Sequence, residues 1–302
     1  MLFKSNGKIL LSSEYLVMDG AKSIALPARL TQDLIVSKCD KNTIEWFSHD
    51  MDNNLWYEDR FFVKNNNLVC ESEKNITSQK IISLFNHLSK THKLASLLGN
   101  KFETRLNFKR DWGLGTSSTF VNNLAKWAKV DPYQLLFSTF KGSGYDIACC
   151  DLNHPIIFKK TGESIDVKKI KFKPPFIKNL FLIHLGKKQN TQLSIENYSK
   201  KRFDRIELIK KINTITDEFV KCNELIHFEE LIQEHESIIS KATSITPIQN
   251  SNFSDYKDGK IKSLGAWGGD FILVTTKNKD LSYFKKRGLK TIIPLENIVY
   301  LN

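Results

Sequence analysis

The chain has 302 residues, 41% hydrophobic and 26% charged, the balance of a globular protein with one large or two medium domains. No run of about 18 apolar residues occurs, so no membrane partner is expected; the opening Met-Leu-Phe-Lys lacks the apolar core of a signal peptide, which makes the cytoplasm the default location. The net charge of +12 is spread over distant lysine groups without interleaved aromatics, which argues against nucleic acid and favours a small anionic or hydroxylated substrate.

In chain order, apolar runs at 8–11 and 15–18, split by Ser12-Ser13-Glu14 and closed by Asp19-Gly20, predict a hairpin. Residues 24–27 and 33–37 continue a strand-rich opening. Ile81, Ile82, Phe85, Leu88 and Leu94 fall near one face of a helix predicted over 78–98, which Gly99 stops. Alternation of Phe102, Thr104, Leu106 and Phe108 predicts a strand over 101–109. It delivers the chain to Gly113-Leu114-Gly115-Thr116-Ser117-Ser118, after which Phe120, Val121, Leu124, Ala125 and Ala128 mark a helix face. Asp131-Pro132 supplies an N-cap and a first-turn proline for a helix to about Phe140.

Lys141-Gly142-Ser143-Gly144-Tyr145-Asp146 is a second glycine loop, followed by Cys149 and Cys150, which read as small buried side chains. The basic stretch 168–175, ending in Pro174-Pro175, is the expected junction between domains 1–170 and 171–302. A strand over 180–185 and a polar loop over 186–191 follow. Two long amphipathic helices come next, carried by Leu208, Ile212, Ile215 and Phe219, and by Phe228, Leu231, Ile232, Ile238 and Ile239. The third glycine loop, Gly265-Ala266-Trp267-Gly268-Gly269-Asp270, feeds a strand over 271–274. Helices and strands mix in both halves without strict βαβ repetition, which predicts the α+β class.

A glycine turn opening into a helix suits phosphate, because free amides and the positive end of the helix dipole converge while glycine lets the backbone approach. The P-loop pattern and the dinucleotide pattern are both absent, so the anion is held in some other framework. Scattered histidines and five cysteines without a C-x-x-C pair give no zinc site.

Gly7-Lys8-Ile9-Leu10-Leu11-Ser12-Ser13-Glu14-Tyr15-Leu16-Val17-Met18-Asp19-Gly20, the loop at 113–118 and the loop at 265–270 occur in one order across residues 7–274. In these three motifs the chain resembles the GHMP kinases, and Gly144-Tyr145-Asp146-Ile147-Ala148 is similar to the pentad of a bacterial GYDIA subgroup. The resemblance implies an α+β, two-domain GHMP kinase fold with ATP and substrate in the cleft between the domains. It implies that Gly113, Leu114, Gly115, Thr116, Ser117 and Ser118 wrap the ATP phosphates, with Ser117 a ligand of Mg²⁺. Asp146 and Lys8 are implied as the catalytic pair, Asp146 beside the attacking hydroxyl. Glu14, Tyr15, Gly144, Tyr145, Lys187, Thr191, Gly268, Gly269 and Asp270 are the implied acceptor-binding residues. Glu14 is otherwise a partner of Lys8 or a plain hairpin charge.

Three departures stand out. Lys109-Arg110-Asp111-Trp112 occupies the approach where a proline is usual, Trp267 replaces a glycine, and Leu135 stands where mevalonate kinases carry a magnesium-binding glutamate. The expected activity is phosphoryl transfer from ATP to phosphomevalonate or mevalonate. The alternatives are another small alcohol, such as a sugar or homoserine, and an inactive GHMP-like binding protein.

Overall fold

A computed structural model describes residues 1–187, 191–201 and 203–302, with the Thr191 side chain outside that description. The first half contains strands β1 (Leu2–Leu10), β2 (Ser23–Lys38), β3 (Thr43–His49), β4 (Leu55–Lys64), β5 (Asn67–Cys70) and β6 (Asn100–Leu106). Its helices are α1 (Ile76–Leu88), α2 (Leu94–Leu97), α3 (Thr116–Ala128), α4 (Pro132–Phe137) and α5 (Tyr145–Cys149). Strands β7 (Ile156–Thr161), β8 (Ser164–Lys169) and β9 (Leu180–His184) follow, then helices α6 (Thr191–Ser199), α7 (Arg205–Lys221), α8 (Leu225–Thr243) and α9 (Ile248–Asn252). The chain closes with β10 (Ile261–Ser263), β11 (Phe271–Thr275), α10 (Ser282–Lys286), β12 (Ile292–Pro294) and α11 (Leu295–Ile298). Helix and strand are interspersed throughout, the α+β class expected.

Two compact units share the chain. Residues 1–7, 30–110 and 115–150 form the first, and 8–29, 111–114 and 151–302 the second. The basic stretch at 168–175 lies within the second unit, and the chain changes unit after Gly7, Arg29, Arg110, Leu114 and Cys150.

In the first unit the sheet order is β5-β4-β3-β6-β2, antiparallel except for the parallel β3–β6 pair. The alternation of β6 buries Phe102, Thr104 and Leu106 on one face. Helices α1, α3 and α4 supply Phe85, Leu124 and Leu135 to the core on that face. Trp46 stacks on Phe102 at 5.1 Å, and Trp127 meets Phe102 edge-on at 4.8 Å, the geometries that ring quadrupoles favour. In the second unit β9 lies between β11 and β12, with β10 beyond β11, all antiparallel. Helices α7 and α8 pack against each other through Phe219 and Phe228, whose rings are 5.0 Å apart.

Two sequence expectations are corrected. Residues 15–18 form no strand. Leu16–Asp19 is a 3-10 turn, entered through Tyr15 at φ 64° and left through Gly20 at φ 94°. The reason is burial: every residue from 9 to 17 is buried, so Ser12-Ser13-Glu14 is interior backbone rather than a solvated hairpin tip. The helix expected over 78–98 stops at Leu88 and resumes as α2. After Leu88 the chain runs Ser-Lys-Thr-His-Lys, with no apolar side chain to bury, and the Leu88 carbonyl is shared by the Thr91 and His92 amides at 3.1 and 2.9 Å and the Thr91 hydroxyl. Asn75 opens α1 with a reciprocal capping box to Ser78, and Asp131 caps α4 as expected, accepting from the Tyr133 and Gln134 amides.

Candidate functional site

The first unit supplies the start of α3. Gly115, at φ 93°, precedes the helix, and no side chain caps its first turn. The amides of Thr116, Ser117 and Ser118 therefore lack intrahelical acceptors and form an anion-attracting end. The hydroxyls divide their work. Ser118 donates to the Gly115 carbonyl at 2.8 Å and Thr119 to Gln32 Oε1 at 2.6 Å, whereas Ser117 is exposed. The helix is anchored by a buried amide network that the sequence did not announce. Ser5 donates to Asn123 Oδ1 at 2.7 Å, Asn122 donates to Ser5 Oγ at 2.9 Å, and Asn123 donates to the Gln32 carbonyl at 2.8 Å.

Asp146 is the second residue of α5, which packs on α3. Its carboxylate is half-buried and accepts from the Ile147 amide at 3.2 Å. Gly144 enters that helix at φ 90°, where an L side chain is strained, and a Cβ there would crowd the rings of Tyr133 and Phe137 at 3.1 Å. Tyr145, next to it, is half-buried. Leu135 is fully buried among apolar side chains in the first unit's core.

The second unit gathers Lys8, Gly113, Leu114 and Asp270. The Lys8 amide donates to the Leu114 carbonyl at 3.0 Å, and its ammonium donates to the Gly113 carbonyl at 2.9 Å. Gly113, at φ 65°, leaves room on its other side for the Asp270 carboxylate; a Cβ would lie 2.5 Å from Asp270 Cγ and 2.9 Å from its Cβ. Asp270 is itself pinned, its amide donating to Lys187 O at 2.7 Å and its carbonyl accepting from Leu185 N at 2.9 Å. The residues leading into the loop are held by two side chains that no motif signalled. His184 Nε2 lies 3.0 Å from the Asp111 carbonyl, and Trp112 packs edge-on against Phe271 at 5.4 Å.

Gly268 takes φ 90° beside Trp267, which sits at φ 50° with its ring buried. Of the polar loop at 186–191, residues 188–190 lie outside the described residues; Lys187 is exposed, and Thr191 opens α6.

Glu14 is fully buried, and its ion pair is with Lys262 at 2.5 Å. Burial pushes the carboxyl up, and the Lys262 ammonium and the His235 ring outweigh it, holding Glu14 below its ordinary range. Tyr15 is buried, donates to the Ala266 carbonyl at 2.7 Å and packs 5.2 Å from the Tyr198 ring. Burial pushes its phenol up to about 12, with the Glu14 charge adding and a hydrogen bond with Ser194 opposing. Among the described residues no group of three or more His, Cys, Asp or Glu side chains is placed to hold a metal ion. No described helix is long and apolar enough to cross a membrane.

No protein-family model matches the chain, and no curated protein matches its sequence. Solved structures do match its fold. The Methanococcus jannaschii mevalonate kinase is 16% identical, with a TM-score of 0.63 over 100% of this chain and 98% of that one. The Streptococcus pneumoniae phosphomevalonate kinase in complex with phosphomevalonate and AMPPNP is 13% identical, with a TM-score of 0.66 over 97% and 99%. The Lactococcus lactis galactokinase complexed with galactose is 11% identical, with a TM-score of 0.69 over 99% and 93%. All three align over nearly the whole of both chains, and all three are kinases by name. The chain has the two-domain α+β fold of the GHMP kinases.

Proposed function

We propose that the chain is an ATP- and Mg²⁺-dependent kinase that transfers the γ-phosphoryl group of ATP to phosphomevalonate or mevalonate. The observation that carries this reading is the seating of Gly113 between the Lys8 ammonium and the Asp270 carboxylate, with glycine enforced by the lack of room for a Cβ. That arrangement ties together one residue from each of the three motifs, which lie far apart in sequence.

The residues fit a triphosphate. Uncapped amides of Thr116, Ser117 and Ser118 offer hydrogen bonds to phosphate oxygens, and left-handed Gly113 and Gly115 keep side chains out of the approach. Phosphoryl transfer proceeds through a loose transition state, so positioning and charge neutralisation supply most of the rate. Lys8 supplies positive charge to the loop and to the oxygens that the loop holds. Asp146 orients the acceptor hydroxyl and receives its proton, after which the acceptor oxygen is bonded to phosphorus and ADP departs. Magnesium keeps much of its water and takes few protein donors, so the exposed Ser117 hydroxyl is a chemically adequate ligand beside phosphate oxygens. When bound, the ion offsets charge on the phosphates. With Leu135 sealed in the core, that task does not fall to the position where mevalonate kinases carry a glutamate.

For the acceptor, Gly144, Tyr145, Tyr15, Lys187, Thr191, Gly268, Gly269 and Asp270 are the proposed contacts, with Glu14 behind Tyr15. The general basic charge favours a phosphorylated acceptor. A coupled ADP-release screen of phosphomevalonate, mevalonate, homoserine and common sugars tests the reading. Turnover with a mevalonate-pathway acceptor supports it, and turnover with a sugar or homoserine alone replaces the acceptor while keeping the kinase.

A further inference from the structure

Among the buried ionisable side chains of the second unit, four lie close together. Glu14, His235 and Lys262 are fully buried, and Glu236 nearly so. Lys262 Nζ donates to Glu14 Oε1 and lies 3.9 Å from Glu236 Oε1. Glu236 Oε2 accepts from both the amide and the hydroxyl of Ser263, at 3.1 and 2.8 Å. His235 Nδ1 stands 3.9 Å from Glu236 Oε1, and the Phe219 ring closes another side, 6.1 Å from the imidazole. Tyr15 is a further titratable group whose electrostatics couple to Glu14. Within this cluster two carboxylates face one ammonium and one imidazole, so its formal charges cancel only with a protonated imidazole.

The contested atom is His235 Nε2. It lies 2.9 Å from the Ser13 amide nitrogen and 3.1 Å from Glu14 Oε2. The amide needs a lone pair on that nitrogen, and the carboxylate needs a proton there. One nitrogen cannot supply both. A neutral ring protonated on Nδ1 satisfies Ser13 and leaves Glu14 Oε2 facing a lone pair. A charged ring satisfies Glu14 and releases the Ser13 amide. Among the described residues Glu14 Oε2, His235 Nδ1 and Glu236 Oε1 have no hydrogen-bond partner, so the cluster is not fully satisfied in this arrangement.

The turn at stake is strained. Ser13 and Tyr15 both hold φ at 64°, where non-glycine residues persist only under constraint. Ser13 Oγ donates to the Lys22 carbonyl at 2.5 Å, the Ser13, Glu14 and Tyr15 carbonyls accept from the Val17, Leu16 and Met18 amides, and Tyr15 donates to Ala266, while the Ser13 amide is held by the His235 ring.

We infer that His235 is a positioning residue for the turn at residues 13–15, its Nε2 proton selecting between a Ser13-bonded form and a Glu14-bonded form that differ in acceptor affinity. Glu14, held by Lys262, is the anchor against which the imidazole works. The acceptor part of this inference rests on the proposed role of Tyr15, whereas the proton exchange stands without it.

Long-range ¹H–¹⁵N NMR on the full chain, taken across a pH series through neutrality, reads the two ring nitrogens of His235 separately and needs no turnover. The expected result is a proton appearing on Nε2 as pH falls, with the Ser13 amide signal moving over the same interval. In His235→Gln, whose amide oxygen is a permanent acceptor, the Ser13 signal should stay still. A Ser13 signal that ignores pH in the wild type, or that still moves in His235→Gln, overturns the inference. Kinetics give the second arm. Acceptor KM should rise about threefold to tenfold on the acid side, what one hydrogen bond is worth, while ATP KM holds within about twofold and His235→Gln removes the dependence. An acceptor KM that is flat with pH removes the link to the acceptor. Ser13–His235 coupling without any turnover supports the proton exchange and sinks the kinase reading; turnover with a silent Ser13 does the reverse.

Discussion

Replacing Gly113 by alanine tests the proposed triphosphate loop where its geometry is tightest. Two costs add. An L residue held at φ 65° loses about 1–2 kcal/mol relative to a right-handed conformation. The new Cβ would stand 2.5 Å from Asp270 Cγ and 2.9 Å from Asp270 Cβ, well inside contact distance. The carboxylate can rotate away, but the Asp270 amide and carbonyl are both bonded, to Lys187 and Leu185, which holds its Cβ at 2.9 Å from the new methyl. Forced overpacking of this kind costs about 1–3 kcal/mol, so Gly113→Ala should lose about 2–5 kcal/mol, shared between stability and nucleotide affinity. The control is Gly265→Ala, where φ is 60° but nothing lies within 4 Å of the added Cβ, leaving only the backbone cost. Denaturant midpoints and calorimetric ATP binding on both variants are the assay. If Gly113→Ala matches Gly265→Ala in both readings, the crowding of Gly113 against Asp270 is wrong.

Four further outcomes are expected. Asp146→Asn should lower kcat by about 10²–10⁴ with near-normal ATP affinity, and unchanged turnover would remove its role as proton acceptor. Ser117→Ala should raise the magnesium concentration needed for half-maximal activity; no shift would put the protein ligand elsewhere. Glu14→Gln removes the nearest carboxylate from the buried Lys262 ammonium, leaving it Glu236 at 3.9 Å and the Ser263 carbonyl, and should cost about 3 kcal/mol by urea unfolding, the lower end for broken buried pairs. A loss below about 1 kcal/mol would mean that the site is wet. The Tyr15 phenol is raised from 10.0 to about 12, so its share of stability is complete below pH 10 and disappears as pH rises through 12. Unfolding midpoints across that alkaline interval should fall less steeply in Tyr15→Phe.

The glycine loops were legible in the sequence because their chemistry is local. Left-handed φ at Gly113, Gly115 and Gly144, and the uncapped start of α3, follow from residues within a few positions of one another. The Asp131-Pro132 helix start is local in the same way. What escaped detection is long-range. Lys262 and Glu14 are 248 residues apart, and Ser13 and His235 are 222 apart, so nothing near Ser12-Ser13-Glu14 distinguishes an interior polar turn from a solvated hairpin tip. The apolar run at 15–18 looked like a strand for the same reason, since burial on all sides removes the period-two signal. His184 and Trp112, which fix the approach to the loop, lie in an ordinary strand and beside a charge run. Their contacts exist only after folding.

The central claim is phosphoryl transfer, and ADP release is its direct measure. With ATP, magnesium and the purified full chain, the account predicts acceptor-dependent ADP release with phosphomevalonate or mevalonate, abolished or sharply reduced in Asp146→Asn. ATP binding without ADP release for any acceptor in a panel that includes mevalonate, phosphomevalonate, homoserine and common sugars would contradict it, and would leave a nucleotide-binding protein on a kinase fold.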